Sequence, residues 1–105
     1  MKVVKLSIIV QTTHEATVRE ALGSAGVGKI GNYRNCQFMT HGKAQFYATE
    51  DADPTLGEAG GLTITDAVQI QTWCEEGQVD AVIKAVKDAH PNEEPAIEVH
   101  PFELR

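Results

Sequence analysis

The apolar repeat of this chain lengthens from strand to helical spacing twice, and that limits the fold more than any other feature. In KVVKLSIIV, residues 2–10, Val4, Leu6, Ile8 and Val10 fall on one side, and Val3, Lys5, Ser7 and Ile9 on the other. A repeat of two is that of a strand with one strongly buried face. The repeat then lengthens. Val18, Ala21, Leu22 and Ala25 have helical spacing, which predicts a helix from about residue 13. Thr12 and Glu15 stand at capping-box spacing, and Gly23 and Gly26 offer left-handed positions for the helix end.

The same change recurs later. LTITDAVQIQTW, residues 62–73, alternates again, with Leu62, Ile64, Val68 and Ile70 on one face. Asp66 interrupts that face and predicts a bulge or bend. EEGQVDAVIKAVKDAH, residues 75–90, is a second helix with Val79, Val82, Ile83 and Val86 as its apolar stripe. Glu75 and Glu76 suit its positive end, Lys84, Lys87 and His90 its negative end, and Pro91 stops it. AIEVHPFEL closes as a short strand. Between the two halves, YRNCQFMT, HGK and AQFYAT read as a β-hairpin with Gly42 at positive φ in its turn. An acidic loop, residues 50–61, follows it.

Reduced to its frame, the order is β-α-β-β-α-β. This is an α+β, ferredoxin-like sandwich with an extra β-hairpin, its helices on one face of an antiparallel sheet. The other face is expected to carry Val3, Ile9, Tyr47 and Trp73, which is too apolar for open water and calls for a covering partner. A length of 105 residues suits one domain, residues 1–105.

A net charge of −6 disfavours nucleic acid and anionic membranes as partners. The start of the chain is too short and too alternating for a signal peptide, and no run reaches membrane-spanning length. Two cysteines far apart, with no C-x-x-C, fit a reduced, cytoplasmic protein.

Gly26–Gly31, GVGKIG, matches the dinucleotide fingerprint G-x-G-x-x-G. The fingerprint requires a strand before it and a helix after it, so that helix N-terminal amides hold the pyrophosphate. Here a helix precedes and a strand follows, so the dipole end at Gly26 is negative. The glycines read as a helix cap and a tight connection. An anion nest of glycine amides remains open to them.

The segments GKIGNYRNCQF, GEAGG and AHPNEEPAIEV resemble the domain inserted in YqfO-type proteins of the NGG-interacting-factor family. The resemblance runs from about residue 3 to the C-terminus. The tail is also similar to the H-P-Y-E-x-P segment of CutA proteins. Two departures stand out: Asn92 replaces the family tyrosine, and Asp53 replaces the asparagine before Pro54. The resemblance implies a PII/CutA-like fold and a homo-trimer. It also implies that the family's dimetal site lies in flanking domains, so a hydrolase or GTP cyclohydrolase activity does not carry over.

On that basis the expected function is non-catalytic binding of a small ligand or partner protein in clefts between subunits. The cleft residues would be Gly28, Lys29, Gly31, Asn32, Tyr33, Cys36, His90, Glu93 and Glu94. A second expectation is a copper or zinc site using Cys36, His41 and His90, as the CutA resemblance implies and soft or borderline ligands allow. No pair has a recognised ligand spacing. A third is a pure assembly module. Cys36 also reads as a small buried hydrophobe, His90 as a helix-end cation, and the Glu93–Glu94 pair as a salt-bridged turn. No nucleophile–base motif points to an enzyme.

Overall fold

Four strands and two helices follow the predicted order in the computed structural model, which describes residues 2–54, 57–92 and 94–105. Strand β1 (Val3–Gln11) leads through a 3-10 turn at Thr12–His14 into helix α1 (Glu15–Ser24). Strands β2 (Phe38–Ala48) and β3 (Gly61–Glu75) come next, then helix α2 (Val79–Ala89) and strand β4 (Ile97–Pro101). The sheet is antiparallel in the order β2-β3-β1-β4.

Register builds the core. Val4, Leu6, Ile8 and Val10 of β1 lie opposite Cys74, Thr72, Ile70 and Val68 of β3. Their shared face meets Val18 and Leu22 of α1 and Val82 and Val86 of α2. Truncating a fully buried member such as Ile8 or Leu22 to alanine would cost about 2–5 kcal/mol, from lost transfer energy and the cavity left behind. No helix among the described residues is long and apolar enough to cross a membrane.

Several local expectations are corrected. The extra hairpin does not form at His41–Lys43. Strand β2 runs unbroken through Gly42, which pairs with Ala67 and lacks a positive φ. A continuous ladder with β3 keeps the inward-facing backbone groups of this edge strand paired where a turn would have interrupted them, and the chain reverses at the acidic loop instead. Nor is there a bulge at Asp66. It sits in register opposite Lys43 and forms an exposed ion pair with it. The reason is that β1 reaches only as far as Ala67. Beyond that point β2 and β3 continue as a two-stranded ribbon, so Asp66 never faces the core. Leu62 and Ile64 keep the predicted parity yet are 60% and 62% exposed on this ribbon.

Tyr47 also changes sides. It lies opposite Leu62, on the helix-facing side of the ribbon, and its hydroxyl donates to the Gly60 carbonyl at 3.0 Å. The open face instead carries Phe38 and Phe46 with Val3, Ile9 and Trp73. At the start of α1, neither Gln11 nor His14 caps with its side chain, and Glu15 pairs with Arg19 at 3.1 Å. The capping box is replaced by the 3-10 turn. Gly26 takes positive φ as predicted; Gly23 does not.

Candidate functional site

The glycine segment leaves α1, reverses, and stitches itself to the end of β3. Gly28 N–H donates to the Trp73 carbonyl at 2.7 Å, and Cys36 N–H donates to the Gly28 carbonyl at 3.1 Å. At the tip, Ile30 and Tyr33 exchange backbone bonds of 2.9 and 2.8 Å around Gly31 and Asn32. The indole N–H of Trp73 donates to the Lys29 carbonyl at 2.9 Å, and the Thr72 hydroxyl to the Cys36 carbonyl at 2.8 Å. The amide of Gly28 is thus committed to β3 and those of Ile30 and Tyr33 to each other's carbonyls, so none of the three is offered to an anion. Lys29, Gly31, Asn32 and Tyr33 stand exposed at the tip; Gly28 is buried.

Cys36 is half-buried, and its thiol is free, as is that of buried Cys74. Burial pushes the Cys74 thiol pKa up, which fits a structural role. Cys36 borders a groove of about 300 Å³ on the open sheet face. Its floor is made by Lys5, Phe38, Gln71 and Trp73, and Phe102 closes one side. Lys5 and Trp73 are direct cross-strand partners. The Trp73 and Phe102 rings lie tilted at 56° with centroids 6.5 Å apart.

His90 is buried at the other end of β1. Its Nε2 is 2.7 Å from the Ile9 carbonyl, which can only accept, so Nε2 carries the proton. Its Nδ1 accepts from the Asn92 backbone N–H at 3.1 Å. Burial lowers its pKa and His14 adds to this, while the bond to Ile9 acts the other way. Asn92, the residue departing from the family tyrosine, accepts from the Gln11 amide at 2.7 Å. Glu94 is exposed; Glu93 lies outside the described residues.

The proposed cleft residues therefore divide into two groups within one copy. The glycine loop and Cys36 meet β1 near Lys5, whereas the His90 segment meets it at Ile9. Four strand steps, roughly 13 Å, separate them. The set Cys36, His41 and His90 is not gathered either. His41 is exposed on β2 opposite Val68, and both ring nitrogens of His90 are engaged. Among the described residues no three His, Cys, Asp or Glu side chains converge on a metal position. Sequence reasoning overlooked Lys5, Gln71 and Phe102. Alternation places Lys5 and Gln71 on the open face, but only the register sets them beside Trp73 and Cys36.

The chain is 42% identical over 98 residues to a GTP cyclohydrolase 1 type 2 homolog from Halalkalibacterium halodurans, covering 93% of this chain and 26% of that protein. A homolog of the same description from Listeria innocua is 41% identical over 102 residues, covering 96% and 27%. This chain is similar to one quarter of a longer protein. It spans about a quarter of the length of the curated relatives it matches. No family model matches it.

Solved structures agree on the fold. A Bacillus cereus protein related to NIF3 superposes with a TM-score of 0.80 at 37% identity, covering 98% of this chain and 26% of that one. CutA1 from Oryza sativa superposes at 0.68 with 12% identity, covering 100% and 84%. Arabidopsis thaliana PII bound to citrate superposes at 0.56 with 20% identity, covering 96% and 78%. The α+β fold is PII/CutA-like.

Proposed function

We propose that this chain is the PII/CutA-like module of the NIF3-related family and acts without catalysis, binding a small ligand or partner protein within a homo-trimer. One observation carries the reading: the sheet has helices on one face only. The other face presents Ile9, Phe38 and Trp73, with Ile9 44% and Phe38 66% exposed. The ribbon adds Leu62 and Ile64, on a two-stranded element that is marginal by itself. The division of the cleft residues supports the same reading. A cleft that gathers the glycine loop and the His90 segment would take them from different copies.

Nothing gathers Cys36, His41 and His90 in one copy, so copper or zinc would need ligands from different copies. Light scattering coupled to size-exclusion chromatography tests the proposal. Three copies per particle at micromolar concentration are expected. A monomer at every concentration up to the millimolar range overturns it.

A further inference from the structure

We infer that the glycine tip of one copy docks on the acidic end of the β2–β3 ribbon of the next. The inference rests on the trimer reading above and names a contact that holds the trimer together. Charge is segregated along the chain. Residues 21–49 contain no Asp or Glu, and residues 44–83 contain no Lys, Arg or His. The first stretch places Lys29 and Arg34 at the tip. The second places Glu50, Asp51 and Glu58 where β2 gives way to β3. All five are exposed, and none has an ion-pair partner among the described residues.

The two ends cannot meet within one copy. The tip is tied to Trp73 through the Gly28 amide and the Lys29 carbonyl, whereas the acids lie in the connection between Ala48 and Gly61, at the other end of the same strand. Twelve strand steps, roughly 40 Å, separate them. The whole molecule is 46 Å along its longest axis. Both surfaces also expose apolar side chains, Ile30 and Tyr33 beside the cations and Leu62 and Ile64 beside the acids. An apolar contact rimmed by opposite charges excludes water at its centre and fixes orientation at its edge. The tip is prebuilt, because Ile30 and Tyr33 bond to each other's backbone, so docking costs little ordering. Glu76 and Glu103 line a cavity with Lys29, but Lys2 stands there too and Arg105 pairs with Glu103, so the tip keeps its positive charge. A contact between opposite ends is heterologous, and rotation closes it into a ring. The His90 segment lies toward the ribbon end of β1, so the same docking carries the tip of one copy toward that segment of the next.

The experiment follows solution mass by light scattering across a dilution series of the intact chain. It compares the unaltered protein, Lys29→Glu with Arg34→Glu, Glu50→Lys with Glu58→Lys, and all these changes together. Each double reversal sets like charges face to face and should raise the concentration needed for assembly about tenfold. The combined variant restores opposite charges across every contact and should assemble as the unaltered protein does, which a chain that had merely lost its fold would not. Double reversals that leave the mass unchanged would overturn the contact while leaving the trimer. A combined variant no better than the doubles would overturn the charge pairing. A monomeric unaltered protein would overturn the trimer reading itself, and the contact with it.

Discussion

The main chain of Cys36 occupies the space that a side chain on residue 28 would need. A methyl group built on Gly28 would overlap both the amide nitrogen and the carbonyl oxygen of Cys36. Gly28 also has φ of 70°, in the left-handed region. Gly28→Ala therefore combines backbone strain with a clash against backbone that cannot swing away, and should cost about 2–4 kcal/mol. Gly31 has φ of 55°, but an added Cβ meets nothing within 4 Å, so Gly31→Ala should cost about 1 kcal/mol from conformation alone. Urea unfolding of the two variants checks the ranking; equal losses would show that the Cys36 contact carries no weight.

His90 should make stability depend on pH. Its folded pKa is lowered, chiefly by burial, so the unfolded chain takes up the proton first. The contribution is complete above the ordinary histidine value of about 6.5 and is lost as pH falls through the lower folded value. Protonation of Nδ1 also removes the acceptor for Asn92 N–H. The urea midpoint should drop between pH 7 and pH 5. His90→Gln should be less stable at pH 7 and show a flatter profile over that interval. Parallel profiles for the two proteins would rule out His90 as the source.

Thr72 is 1% exposed and holds the Cys36 carbonyl through its hydroxyl. Thr72→Val keeps the shape and removes the donor, leaving a polar oxygen at a partly buried position. A loss of about 1–2 kcal/mol is expected by chemical denaturation. Thr72→Ser keeps the hydroxyl and should lose less. A valine variant as stable as the parent would mean that water replaces the bond fully.

Leu62 and Ile64 stand on the ribbon beyond the end of the core of a single copy. The double substitution Leu62→Lys and Ile64→Lys should leave the helical circular dichroism signal and the unfolding cooperativity intact. It should also shift the solution mass toward one copy, because like charges would then occupy the covered ribbon face. An unchanged mass would remove the ribbon from the interface.

The alternation of Val4, Leu6, Ile8 and Val10, and the helical spacing of Val18 and Leu22 or Val82 and Val86, were readable because they are local. Each follows from backbone geometry over a few residues. The site was less readable. Asn32 lies in a turn as its residue type suggests, but Tyr33 is 75% exposed rather than packed, and the groove depends on Lys5, Trp73, Cys36 and Phe102 coming together from four segments. Gly42 shows the same limit: a turn residue in a local window became a strand residue once β3 supplied eleven registered partners.

What the sequence by itself determined is the β-α-β-β-α-β order, the buried face of β1 and of the two helices, and the poor fit of Gly26–Gly31 to a dinucleotide loop. What only the tertiary structure decided is where β1 ends against β3, which turns Asp66, Leu62 and Ile64 out of the core. It also decided that His90 bonds to Ile9, 81 residues away. The physical reason is the range of the forces involved. Side-chain periodicity is fixed by neighbouring φ and ψ angles, whereas register and groove are fixed by backbone hydrogen bonds between segments that meet only after the chain has folded.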